Sequence, residues 1–214
     1  MGLHRQNATS PQPRVFNFSL DWRFLLPMAD PGKVRLLVQA DTDFSETLEQ
    51  VGIHASQQLS FSELRQDKTK DVQSFVMPFG LPVGWVGAKH EDQVVFFSSV
   101  RGRIAPDGYL LVGFNNVWNL RVHSKSKHHP STPRRVTAQL KQAGFRSVSL
   151  FGAMPNLAIP EYVFDLDSQA IQFALRNRFR RKPAALQILR ALEGTIGLKR
   201  ISKFLPCYFA VATA

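Results

Sequence analysis

Apolar residues along the chain fall into short blocks separated by polar turns, and the spacing inside the blocks changes from one to the next. Within Val15–Pro27 the positions of Trp22, Leu25 and Leu26 predict one face of a helix, ended by Pro27 and the turn ADPGK. Val34–Gln39 then reads as a short buried strand, apolar but for Arg35 up to its last residue. Phe44, Leu48 and Val51 are spaced four and three apart, as on one side of a helix, with Asp41 or Thr42 as its cap and Gly52 at its end. Ile53–Leu59 and Val72–Met77 are further strand predictions, the second stopped by Pro78, and FGLPVGWVGAKH is a loop. Glu91–Ile104 carries a strand-like VVFF, but acidic residues at its start and basic ones at its end favour a helix.

The second half is clearer. RIAPDG is a turn, and Tyr109–Phe114 a buried strand behind it. Thr132 caps a helix with Pro133 at its first position; Val136, Leu140 and Ala143 face inward, and Gly144 ends it. Ser147–Phe151 is the next strand. Residues 167–205 read as mostly helical, with breaks at Pro183, Gly194 and Gly197, and Tyr208–Thr213 is a terminal strand. Alternating strands and helices predict an α/β fold with a mostly parallel sheet.

Composition narrows the functional classes. The 214 residues suit one sizeable core, so residues 15–214 are expected to form a single domain behind a polar, proline-interrupted tail at 1–14. Cys207 is the only cysteine, which excludes an internal disulfide or a cysteine-based zinc site and points to a reducing, cytoplasmic setting. There is no apolar run of about 18 residues, so no membrane-spanning helix is expected. Charge is segregated. Residues 1–107 hold 11 Lys and Arg against 12 Asp and Glu, whereas residues 108–214 hold 16 against 4. The whole excess of +11 therefore arises in the second half, which suits an anionic partner.

Three segments there, RIAPDGYLLVGFNN, VTAQLKQAGFRSVSLFGAMP and CYFAVATA, resemble the class I S-adenosylmethionine-dependent methyltransferases. In that family a Pro-Gly-Gly turn precedes the fifth strand, a helix ending in Ala-Gly-Phe precedes the sixth, and the seventh inserts antiparallel. Pro106, Asp107 and Gly108 fill the turn, and Ala143, Gly144 and Phe145 close the helix. The resemblance implies a Rossmann-like sheet with an antiparallel last strand, a shortened first half and a helical insertion at about 160–205. It also makes residues after the first strand the cofactor loop, with Gln39, Ala40, Asp41 and Thr42 as the candidate S-adenosylmethionine contacts. Departures accompany it. Val38, Ala40 and Thr42 stand where glycines are expected, and a Cβ there limits how closely a cofactor can approach. No acidic residue ends the second strand, and the twelve residues between Leu59 and Val72 are too few for a third strand with its helices.

Two functions follow. One is methyl transfer to a small or lipid-linked acceptor; the other is a catalytically inactive binding or scaffold subunit working through its basic face. Asn115, Asn116 and Trp118 directly follow the fifth strand, and His123, Arg134 and Arg135 belong to the cationic stretch beyond them, so these six are the candidate substrate- or anion-binding residues. Trp118 could equally be a buried cover. No carboxylate or cysteine joins the histidines there, so no metal is expected. Arg176–Lys182 is the densest basic run, a candidate contact for an anionic membrane surface or protein, with the chain then peripheral at a membrane. RNA is the weaker partner because the aromatic residues are not interleaved for stacking. For acid–base chemistry His123 and Asp165 are candidates by side-chain type only.

Overall fold

The computed structural model describes residues 25–26, 34–37, 58–59, 63–64, 72–78, 80–83, 86–87, 89–118, 128–157 and 160–214. The predicted helices at Val15–Pro27 and around Phe44–Val51, and the tail at 1–14, lie outside the described residues but for Leu25 and Leu26. Within them the chain runs β1 (Val34–Leu37), β2 (Gln58–Leu59), β3 (Val72–Met77), α1 (His90–Arg101), β4 (Ile104–Asn115), α2 (Pro133–Gln142), β5 (Ser147–Met154), β6 (Tyr162–Asp165), α3 (Ser168–Phe179), α4 (Pro183–Ile196), α5 (Leu198–Ile201), a 3-10 turn (Ser202–Phe204) and β7 (Cys207–Thr213).

One sheet in the order β2-β1-β3-β4-β7-β5-β6 joins all seven strands. The β1–β2, β1–β3 and β3–β4 pairs are parallel, whereas β7 inserts antiparallel between β4 and β5. With β3, β4, β5 and β7 as the family's fourth to seventh strands, this is the Rossmann-like sheet of the class I methyltransferases, its reversed seventh strand included. Central strands are buried on both faces, which explains their nearly unbroken apolar runs. Phe75, Met77, Leu110, Val112, Tyr208 and Ala210 pack on one face with Phe96 and Phe97 of α1, Val136 and Leu140 of α2, and Ile171 and Leu175 of α3. Leu36, Val76, Leu111, Phe209 and Val211 form the opposite face.

Local chemistry accounts for the elements that read most clearly. Thr132 Oγ1 accepts from the Arg135 backbone N–H at 3.2 Å, Pro133 opens α2, and Gly144 leaves it at φ 93°. Asp167 caps α3 in the same way, through Ala170 at 2.8 Å. Glu91–Ile104 is a helix only to Arg101, because Ile104 already pairs with Val72 in the sheet. The RIAPDG turn is an excursion inside β4, between Ile104 opposite Val72 and Tyr109 opposite Ser74, with Asp107 at φ 63°.

Two expectations change. The segment at about 160–205 opens with a strand, β6, which pairs with β5 and forms the edge of the sheet. Gly194 does not break a helix; α4 runs through it, with open space around its Cα. β1 covers Val34–Leu37, and the last two residues of the expected strand, Val38 and Gln39, lie outside the described residues.

Candidate functional site

The chain leaves β1 for β2 on one side and returns to β3 on the other, so the strand order reverses between β1 and β3. In open α/β sheets ligands bind at the carboxyl ends of the strands beside such a reversal. Gln39, Ala40, Asp41 and Thr42, and also His123, lie outside the described residues. The described wall of this end is built from the segments after β3 and β4.

After Met77 the chain turns back sharply, with the Gly80 N–H donating to the Met77 carbonyl at 3.2 Å. Gly80 sits at φ 87°, and a Cβ there would fall 2.6 Å from the Gly113 carbonyl oxygen of β4. A Cβ on Gly113 would in turn lie 2.0 Å from the Pro78 carbonyl oxygen. Two bare backbones thus cross, which carries the following residues over the end of β4. There the Leu81 carbonyl accepts from the His129 N–H at 2.9 Å, and Pro82 bridges to His128. His129 Nε2 lies 2.9 Å from the Val86 carbonyl, so that nitrogen carries the proton and donates it. On the other side the Asn115 carbonyl accepts from Ser131 N–H at 2.8 Å, and Val117 N–H donates to the Ser131 carbonyl at 3.3 Å. The stems on either side of residues 119–127 are therefore tied together and to the post-β3 loop.

Asn116 is fully buried and ties a third segment into this end. Its Nδ2 donates to the carbonyls of Lys203 at 2.7 Å and Leu205 at 2.8 Å, with the Tyr208 hydroxyl at 3.3 Å, while its Oδ1 accepts from Trp118 N–H at 3.3 Å. The Tyr208 hydroxyl donates to the Ser202 carbonyl at 2.5 Å, and its ring stacks on Phe114. Burial pushes the Tyr208 phenol upward from its ordinary value, and it pushes the neighbouring Cys207 thiol up to about 12. Both groups stay neutral and serve structure.

Asn115, Asn116 and Trp118 are thus brought together at the carboxyl end of β4, as their position after the strand predicts. The Asn116 amide is committed to its own chain. Trp118 is no buried cover: it is 63 % exposed, 6.1 Å from the ring of exposed Phe204. Arg134 and Arg135 are exposed in the first turn of α2, directly after Ser131. The Ser131 hydroxyl is buried and has no hydrogen-bond partner, which makes it the one orphaned polar atom of this wall among the described residues. Asp165 pairs with Phe151, three residues down β5 from Met154, and so sits away from this end. Among the described residues no group of three His, Cys, Asp or Glu could hold a metal.

Arg176–Lys182 spans the last turn of α3 and the bend into α4. Arg178 Nη1 lies 3.0 Å from Glu161, whose N–H donates to the Met154 carbonyl at the end of β5, so this run reaches the same end of the sheet. The apolar residues of α3 and α4 divide between two faces, with Phe173 67 % and Leu192 40 % exposed. Leu175 and Leu189 are buried, and Phe179 and Leu186 pack against the core, so the helices form a lid on the sheet. Sequence spacing did not single out Tyr208 or Phe204; a tyrosine in an otherwise apolar strand after a proline was the available signal.

No family model and no curated protein sequence matches the chain. Among solved structures it is similar to a SAM-dependent methyltransferase from Archaeoglobus fulgidus, at 15 % identity and TM-score 0.49 over 85 % of each chain. It is also similar to a SAM-dependent methyltransferase from Thermotoga maritima, at 11 % identity and TM-score 0.48 over 86 % of this chain and 74 % of that one. A third is phosphoethanolamine N-methyltransferase 2 of Haemonchus contortus in complex with S-adenosyl-L-methionine, at 13 % identity and TM-score 0.45, covering 91 % of this chain and 51 % of that one. The fold assignment rests on the strand order and the reversed β7. Among the described residues, no helix is long and apolar enough to cross a membrane.

Proposed function

We propose that the chain is a methyltransferase-family protein that transfers a methyl group from S-adenosylmethionine to a small or lipid-linked acceptor at the carboxyl end of its sheet. The observation that carries the reading is the strand order, with its reversal between β1 and β3 and its antiparallel β7. The cofactor would supply a methyl group activated on a sulfonium. Its nucleoside would lie along Gln39–Thr42, where Gln39 and Asp41 are the polar side chains able to bond it. The post-β3 loop, Asn115 and the Ser131 hydroxyl would bound the acceptor side, with exposed Arg134 toward an acidic or phosphorylated acceptor and Arg135 next to it in the chain. The protein's work is orientation, since methyl transfer of this kind needs the acceptor in line with the sulfonium.

A second reading is supported by Val38, Ala40 and Thr42 at the expected glycine positions. In it the fold is kept without the cofactor, as a binding or scaffold subunit. Isothermal titration with S-adenosylmethionine and with S-adenosylhomocysteine separates the two. Micromolar binding of either supports the enzyme, and no heat at millimolar ligand leaves the scaffold.

A further inference from the structure

Charge and exposed apolar surface meet at the carboxyl end of the sheet. Val83 follows Pro82, which bridges to His128; Trp118 stands two residues after Asn116; and Phe204 lies between Lys203 and Leu205, whose carbonyls bind the Asn116 amide. These three side chains are 53 %, 63 % and 59 % exposed. Exposed cations stand at the same end: Lys203 next to Phe204, Arg134 and Arg135 in the first turn of α2, and Arg180, Arg181 and Lys182 in the bend after α3. Of the four side-chain carboxylates beyond residue 107, only Glu161 is at this end, and it pairs with Arg178 at 3.0 Å. Asp165 is down the edge strand, Asp167 caps the far end of α3, and Glu193 lies between α3 and α4, bonded to Arg176 at 3.3 Å. Glu91 and Asp92, at the start of α1 beside Lys89, are the other described acids of this end.

We propose that this end docks on an anionic bilayer surface. Trp118 and Phe204 enter the boundary between headgroups and acyl chains, and Lys203, Arg180, Arg181 and Lys182 meet the lipid phosphates. The aromatic geometry favours lipid over RNA. The two rings are tilted by 55° and so make no flat platform for successive bases. Exposed Val83 adds apolar surface that a phosphate backbone cannot use. The docking differs from binding through Arg176–Lys182 alone, because its apolar contribution comes from the stem after β4 and the turn before β7. It stands whether or not S-adenosylmethionine binds.

Flotation of the full chain with vesicles tests it, using pure phosphatidylcholine and phosphatidylcholine mixed with phosphatidylglycerol. The chain is expected to float with the mixed vesicles only, and less as salt is raised. Trp118→Ala with Phe204→Ala is expected to weaken this roughly tenfold or more, and Lys203→Glu to weaken it as well. Trp118→Phe should keep binding but lose most of the fluorescence quenching by brominated lipid, a readout that a folding defect would not produce selectively. Wild-type chain that ignores anionic vesicles overturns the proposal. So does equal binding by the double alanine variant, or salt-sensitive binding to single-stranded RNA without binding to vesicles.

Discussion

Gly80 passes so close over Gly113 that a Cβ on Gly80 would stand 2.6 Å from the Gly113 carbonyl oxygen. That contact sends the post-β3 loop across the end of β4, where Leu81 and Val86 then hold His129. Gly80→Ala adds both the clash and the cost of φ 87° for a residue with a side chain. A loss of about 2–3 kcal/mol is expected in urea unfolding. Gly194→Ala, in open space inside α4, is expected to stabilise by up to about 1 kcal/mol. A Gly80→Ala variant as stable as wild type would contradict the crossing.

The Asn116 amide donates to two carbonyls, that of Lys203 at 2.7 Å and that of Leu205 at 2.8 Å. Asn116→Leu is expected to cost about 2–4 kcal/mol, since it leaves buried acceptors unpaired. Tyr208→Phe should cost about 1 kcal/mol through the lost bond to Ser202. Because the two side chains touch at 3.3 Å, the double variant is expected to lose less than the sum. Strict additivity would show that they act apart.

Two helix caps give a cleaner contrast. Thr132→Ala and Asp167→Ala each remove a side-chain acceptor from a first-turn N–H and should each cost about 1 kcal/mol. Arg134→Gln, one exposed position into α2, should leave thermal stability within about 0.5 kcal/mol. If Arg134 serves an anionic acceptor, its effect appears in the affinity for that acceptor and not in melting.

Stability is expected to fall at alkaline pH. Burial holds the Cys207 thiol at about 12, against 9.0 for an exposed one. Between those values the unfolded chain has released the proton and the folded chain still keeps it. The unfolded state therefore binds fewer protons, and stability declines as pH rises through that window, while it is fully present below 9.0. The Tyr208 phenol, shifted the same way, adds to the decline. Urea midpoints across this range should show it, and Cys207→Ala should flatten part of the slope. The native thiol should also resist alkylating reagents that modify the unfolded chain at once.

The elements that could be read along the chain are those whose signals are local. Thr132 with Pro133 starts α2 because a hydroxyl and a fixed φ act within one turn, and Val72–Met77 is a strand because its core contacts recur on both faces. The antiparallel insertion of β7 was legible only through resemblance to a family. Its physical cause, seven residues bonded on one side to β4 and on the other to β5, joins parts of the chain about a hundred and about sixty residues away. β6 escaped notice because an edge strand of four residues has no distinctive spacing. That Asn115, Asn116 and Trp118 stand at the end of β4 was legible from their position, but not what each of them bonds to. Asn116 and Trp118 are two residues apart in the same stem, and one is sealed inside while the other stands in solvent. The pattern of apolar residues determined by itself that an α/β sheet would form, and the charged residues that cations would gather in the second half. Only tertiary structure decided which of those cations share an end of the sheet with bare aromatic rings. Burial and hydrogen bonding are settled by neighbours distant in the chain, and local spacing carries no record of them.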